Sequence, residues 1–155
     1  MQPPHTRPAT WPTDLLASKL ASHFRSSPEG CQIGLLGVPD DTGIKLNNGR
    51  PGAADGPGAL RAALAHYGVA EPHDWTWPTI WDAGDVEIVA GDIHATHERV
   101  TNATRGIIDK GVFPIMIGGG HDLTYPFVRA VAELHKPMHG IYFDAHLDVR
   151  EETGS

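Results

Sequence analysis

Asp144, His146 and Asp148 occupy alternate positions in the stretch Phe143-Asp144-Ala145-His146-Leu147-Asp148, directly after the apolar run Gly140-Ile141-Tyr142-Phe143. If that run is a buried strand, the three side chains leave one face with ~7 Å between successive positions, so they can hold one cation, or two that share a carboxylate. A second cluster, Gly118-Gly119-Gly120-His121-Asp122, follows another apolar run, Phe113-Pro114-Ile115-Met116-Ile117, and brings a further imidazole to a strand end. Acidic residues can simply mark a strand's exit into solvent. Grouped at a buried strand end, however, unpaired charges repel one another and are costly unless a cation neutralises them, which favours a metal site. Carboxylate and imidazole donors without thiolate suit Mn2+ ahead of Zn2+, Fe2+ or Co2+.

The glycines before His121 have a rival reading as a phosphate cradle, because glycines ahead of a helix bare backbone N–H groups towards an anion. Neither G-x-G-x-x-G nor a Walker Gly-Lys-Ser/Thr is present, so a nucleotide site is the weaker reading. A steric role is favoured, in which Gly118, Gly119 and Gly120 let the backbone pass closely beneath the site and turn His121 into it.

Such clusters need a scaffold that brings strand ends together. Residues 33–38 are apolar throughout rather than alternating, as expected of a parallel strand covered on both faces. Residues 79–84, 113–117 and 141–143 are the other expected strands. Helices are expected over 15–24, over 57–67 with Pro57 in the first turn, over 94–110 ahead of Gly111, and over 125–135. Residues 40–56 are polar and glycine-rich and read as one long loop. Strands alternating with helices imply an α/β fold, in which ligands bind beyond the carboxyl ends of the strands, and both clusters begin at such an end. Residues 1–13, with Pro3, Pro4, Pro8 and Pro12, read as an extended arm, and residues 14–155 as part of one domain.

Composition narrows the class. The 155 residues suffice for one domain, and a net charge of −7 with scattered Lys and Arg argues against a nucleic-acid footprint. No apolar run approaches the ~18 residues that cross a bilayer, and the start lacks the pattern of a secretory signal, so a cytoplasmic, non-membrane protein is expected. Cys31 is the only cysteine, which excludes an intrachain disulfide and a thiolate-rich zinc site, and it reads as a buried free thiol. Of ten histidines, most, His97 among them, lie outside any ligand spacing and read as surface or packing residues.

Taken in order, Asn48-Gly49-Arg50-Pro51-Gly52-Ala53-Ala54-Asp55-Gly56-Pro57-Gly58-Ala59-Leu60-Arg61, then Ile117-Gly118-Gly119-Gly120-His121-Asp122, then Asp144-Ala145-His146-Leu147-Asp148 resemble the ureohydrolase family of arginase, agmatinase and formimidoylglutamase. The resemblance implies an arginase-like α/β fold, a three-layer parallel sheet with helices on both faces, here cut short after the strand carrying Asp-x-His-x-Asp. It implies two Mn2+ ions per subunit that activate a water for attack on an amidine or guanidine carbon. His121, Asp144 and Asp148 would bind one ion, and Asp144, bridging, and His146 the other. The family's last two ligands are aspartates of a later Ser-x-Asp-x-Asp motif, which does not occur within these residues, so the chain by itself is expected to bind Mn2+ weakly and to lack turnover.

In arginase and agmatinase relatives a histidine after the third aspartate assists proton delivery to the leaving nitrogen. Here that loop is Val149-Arg150-Glu151-Glu152-Thr153-Gly154-Ser155, without histidine, so no catalytic side chain is assigned beyond the metal-activated water. Asp148-Val149-Arg150 and Asn48-Gly49-Arg50 look more similar to the formimidoylglutamase branch. Arg150 is a candidate for pairing with a substrate carboxylate, with a loop salt bridge to Glu151 or Glu152 as the equal alternative, and Arg50 is a candidate to approach the cleft. Arg61 is expected to serve structure or a subunit surface. The expected activity is hydrolysis of N-formimidoyl-L-glutamate to L-glutamate and formamide, with hydrolysis of a guanidino compound such as agmatine, arginine or a guanidino acid as the alternative. An inactive metal-binding or regulatory relative is the alternative from another class, and a homo-oligomer is expected.

Overall fold

The computed structural model describes residues 2–70, 74 and 76–145. Five strands form one sheet: β1 (Thr6–Arg7), β2 (Phe24–Arg25), β3 (Ile33–Gly37), β4 (Ile80–Val86) and β5 (Phe113–Ile117). Their order is β1-β4-β3-β5, and β2 also pairs with β4. The helices are α1 (Thr42–Leu46), α2 (Gly56–Leu64), α3 (Ile93–Ile108) and α4 (Thr124–Leu134). β3 is central, parallel to β4 on one side and to β5 on the other, and the β3–β5 register runs unbroken from Ile33 opposite Phe113 to Gly37 opposite Ile117. The sheet is mixed rather than wholly parallel, because β1 runs antiparallel to β4, with Thr6 opposite Val86 and Arg7 opposite Asp85. The Pro-rich arm is thus extended and hydrogen-bonded into the sheet.

Alternation along β3 divides the helices between the two faces. Gly34 makes room for Ile107 of α3, so α3 lies on the face shared by Gly34 and Leu36. Gly37, three residues later and on the opposite face, lies against Pro57 of α2. The core fills the α3 side: Leu36, Trp81, Ala83, Val86, Val100, Ala103 and Ile107 are all fully buried. Cys31 joins this core as a free thiol, and burial raises its pKa above the usual thiol value. Thr101 of α3 donates to the Pro126 carbonyl and accepts from both Nε and Nη2 of Arg129, which fixes α3 to α4.

The α2 face is held by charge. Arg61, 2% exposed, donates from Nε and Nη2 to the two oxygens of Asp82 at 2.8 and 2.9 Å, and from Nη1 to Asp85 at 2.7 Å. Burial works against the guanidinium charge, but the hydrogen bonds and charges of Asp82, then of Asp85, outweigh it and hold its pKa above the ordinary arginine value. Residues three apart cannot both face one side of a regular strand. From the Leu35–Asp82 pair to the Gly37–Asp85 pair, β4 uses three steps where β3 uses two, so β4 carries a bulge. Gly84 supplies it with a φ of +84°, and a Cβ there would come within 2.1 Å of the Arg7 carbonyl as β1 passes.

Three expectations need correction. Residues 15–24 do not form a helix: they make turns, one tight helical turn (Leu20–His23) and then β2, and Leu16 is 63% exposed. Their backbone bonds go elsewhere, Leu20 N to the Tyr67 carbonyl and Val69 N to the Ser18 carbonyl, so 18–20 pairs with the chain leaving α2 instead of with itself. The loop 40–56 contains α1 and the short turn Ala53–Asp55, stabilised by local polar contacts that carry no apolar periodicity. Residues 141–143 are not a buried strand. They join no ladder among the described residues, and Ile141 and Phe143 are 86% and 95% exposed. A short apolar segment needs neighbouring strands and a covering layer before pairing outweighs its ordering cost. Among the described residues no helix is long and apolar enough to cross a membrane.

Replacing Arg61 by Met leaves the buried Asp82 carboxylate and the partly buried Asp85 carboxylate without their counter-charge. The expected loss is ~3–5 kcal/mol of unfolding free energy, read from urea denaturation, with part recovered when Asp82 is replaced by Leu in the same chain.

Candidate metal centre

Of the expected ligands, His121 sits beyond the carboxyl end of β5, next to the exit of the neighbouring β3. After β5 the chain runs through 118–120 into a single helical turn, His121–Leu123, and after β3 it runs through 38–41 into α1. The two exits are stitched together: Val38 N donates to the Ile117 carbonyl at 2.9 Å, and Gly120 N to the Asp40 carbonyl at 2.7 Å. This approach explains the glycine run at one position in particular. A Cβ on Gly119 would stand 1.8 Å from the Asp40 carbonyl oxygen, so only glycine lets the His121 loop lie on the β3 exit.

The β3 exit is itself tied down by carboxylates. Asp40, 5% exposed, accepts from Thr42 N at 3.0 Å and from the Thr42 hydroxyl at 2.5 Å, which starts α1. Asp41 pairs with Lys45 one turn on at 2.6 Å and accepts from Gly52 N at 2.8 Å. The Lys45 hydrogen bond, then the Gly52 amide, hold the Asp41 pKa below the usual carboxylate value, and Asp41 raises that of Lys45 in return. The Asp41 contribution is therefore present above the ordinary carboxylate pKa and is lost as pH falls through the lowered one.

His121 and Asp144 come together. His121 Nδ1 lies 3.5 Å from Asp144 Oδ2, with the His121 side chain half exposed and that of Asp144 23% exposed. The Tyr142 hydroxyl makes a hydrogen bond with His121 Nε2, so the other ring nitrogen faces the carboxylate. One imidazole nitrogen and one carboxylate oxygen at this separation can bind the same divalent ion, and the carboxylate, a hard oxygen donor, fits Mn2+. His146, Asp148 and Arg150 lie outside the described residues, and among the described residues no group of three or more His, Cys, Asp or Glu is placed to hold a metal. Arg50 is exposed on the loop that follows α1.

Sequence reasoning passed over His97. Its side chain is buried on α3, and Nε2 lies 2.9 Å from Oδ2 of Asp122, the residue after His121. The available signal was helical phase: His97 shares its stripe with Ile93, Val100, Thr101 and Thr104, all buried.

The α/β architecture, a mixed sheet flanked by helices with a glycine-lined turn into His121 beyond β5, defines the class. This chain belongs to the arginase family, whose profile matches residues 31–155. It is 31% identical to the mitochondrial guanidino acid hydrolase of Homo sapiens over 98% of its own length and 43% of that protein's. To a formimidoylglutamase of Chromobacterium violaceum it is 37% identical over 78% of this chain and 38% of the other. Among solved structures, formiminoglutamase of Trypanosoma cruzi with Mn2+ superposes with a TM-score of 0.65 at 33% identity, covering 74% of this chain and 40% of that one. A putative agmatinase from Clostridium difficile gives 0.71 at 30% identity over 83% and 46%. The chain thus spans about two fifths of the length of the curated relatives it matches, 43% and 38% in the two cases above.

Replacing Gly119 by Ala should force the two loops apart, because the intruding methyl meets backbone that cannot swing aside. A cost of ~1–3 kcal/mol in denaturant unfolding is expected, together with faster hydrogen exchange at the Gly120 amide. Unchanged exchange at Gly120 would show that the contact is not formed in solution.

Proposed function

We propose that this protein is a manganese-dependent hydrolase of linear amidines, with N-formimidoyl-L-glutamate as substrate and L-glutamate and formamide as products. The observation that carries the reading is the approach of His121 Nδ1 to Asp144 Oδ2 at a strand exit built to hold it. The likeness to formimidoylglutamases in sequence and to a Mn2+-bound formiminoglutamase in structure supports it. His121, Asp144, His146 and Asp148 would hold the metal, with Asp144 shared between two ions. Bound there, the ions would supply activation of a water and stabilise the charge that develops on the attacked carbon.

The remaining work falls to the chain's own side chains. Arg150, two residues after Asp148, would take a substrate carboxylate through two parallel hydrogen bonds, orienting the amidine carbon towards the metals. Arg50, exposed on the loop after α1, is available for the second carboxylate of such a substrate. Water adds across the C=N carbon, the C–N bond to glutamate breaks, and a proton reaches the departing nitrogen. No residue of this chain is assigned to deliver that proton.

Two measurements on the intact protein test the proposal. Asp144→Ala should lower bound Mn2+ from two ions per subunit to at most one by metal analysis, and two ions retained would sink the assignment. For the substrate, formimidoylglutamate should be hydrolysed with a higher specificity constant than arginine or agmatine, and Arg150→Ala should reduce it by the equivalent of ~2–4 kcal/mol. Agmatine as the best substrate would transfer the reading to a guanidino hydrolase, and metal binding without any turnover would make the protein a regulatory relative.

A further inference from the structure

The turn His121–Leu123 is one helical turn of three residues, and two of them are anchored. Leu123 is fully buried in the core. The Asp122 side chain, 15% exposed, makes the 2.9 Å contact with His97 Nε2. A carboxylate only accepts, so the imidazole donates to it. The same carboxylate is confined on its other sides: a Cβ on Gly43 of α1 would come within 2.4 Å of it, and one on Gly120 within 2.3 Å. His121 is the third residue of the turn, its side chain half exposed, with Nε2 bonded to the Tyr142 hydroxyl and Nδ1 facing Asp144. A residue next to a pinned neighbour in a three-residue turn inherits that neighbour's position, because one turn of backbone offers few independent torsions.

We propose that His97 is a positioning residue for His121: through its hydrogen bond to Asp122 it sets where the His121 imidazole stands relative to Asp144. The inference rests on the reading of His121 as a metal ligand. His97 is well placed for the task, since the helix turn that carries it is fixed to α4. Thr101, one turn further along α3, accepts a bond from Arg129 and donates to the Pro126 carbonyl and to the His97 carbonyl. The path from α4 through α3 to the metal-side loop is therefore continuous and hydrogen-bonded. A purely structural role for His97 makes a different prediction, that its loss lowers stability without a separate effect on the metal.

The test is a Mn2+ titration of the intact protein, followed by the paramagnetic resonance signal of the free ion, with thermal unfolding of the metal-free protein measured alongside. His97→Leu should weaken Mn2+ binding about 10-fold, the low end of the 10- to 100-fold that follows loss of a ligand's own hydrogen-bond partner, because His97 acts on the neighbour of the ligand. His97→Gln, whose side-chain amide reaches the same carboxylate, should bind close to the unsubstituted protein. His121→Ala serves as the reference. If it lowers Mn2+ binding and His97→Leu does not, the positioning role falls while the metal centre stands, and if His121→Ala leaves binding intact, both fall. Equal losses in His97→Gln and His97→Leu would also overturn the proposal, since the hydrogen bond would then be irrelevant. Should His97→Leu not fold, Asp122→Ala takes its place: the same loss of affinity supports the proposal and unchanged affinity overturns it.

Discussion

The buried charge of Arg61 is the constraint around which half of the fold is arranged. A guanidinium that is 2% exposed has to find acceptors for its donors within the protein, and it finds three carboxylate oxygen contacts on a single strand. Asp82 and Asp85 can face α2 together only because β4 is bulged between them, and the bulge at Gly84 in turn lets the backbone of β1 come close enough to pair. Trp11 completes the arrangement by donating to the remaining side of Asp82 at 2.7 Å. Net stabilisation by such a network is commonly small, since desolvation offsets most of the attraction. Its main effect is on register: a slip of one residue in β4 would turn Asp82 towards the α3 core and leave Arg61 facing apolar side chains.

β3 carries that registration across to the metal side. It is paired with the bulged strand on one edge and with β5 on the other, so the exits of β3 and β5 leave the sheet at fixed relative heights. The Gly120–Asp40 bond and the close contact at Gly119 then convert two loops into one surface. The His121 imidazole, set on this surface, inherits the order of the sheet. Its exposure is compatible with the proposed metal role, because metal donors have to project from a rigid base rather than be rigid through burial.

The elements with long apolar runs or strong periodicity were readable from the sequence, and so was the family that the ordered motifs point to. β3, β5, α3 and α4 fall within a residue or two of expectation, α2 ends three residues early, and β4 starts one residue later and ends two residues later than expected. The segments that were not readable are those whose structure is decided at a distance. Residues 15–24 have a plausible helical pattern, yet their backbone is claimed by the chain after α2. α1 has no apolar stripe and exists because Asp40, Asp41 and Lys45 close it locally. His97 looked unremarkable because its partner lies 25 residues away, and spacing along one element cannot reveal a contact between two. Arg61, by contrast, was correctly expected to be structural, although nothing in its neighbourhood of sequence announces Asp82 and Asp85 as the reason.

Relatives named for different substrates, a guanidino acid hydrolase, formimidoylglutamases and an agmatinase, match this chain at 31%, 37% and 33% identity. What they share with it therefore does not select among substrates. Discrimination between an amidine bearing two carboxylates and a guanidine bearing one or none is a matter of where cationic donors stand around a common reaction centre. Such donors can be exchanged without disturbing a core only if they are exposed and sit on loops. Arg50, on the loop after α1, meets that description, and the buried Arg61 of the same signature does not. Two arginines eleven positions apart in one motif thus stand in opposite environments: one is committed to holding α2 on the sheet, and the other is exposed on its loop.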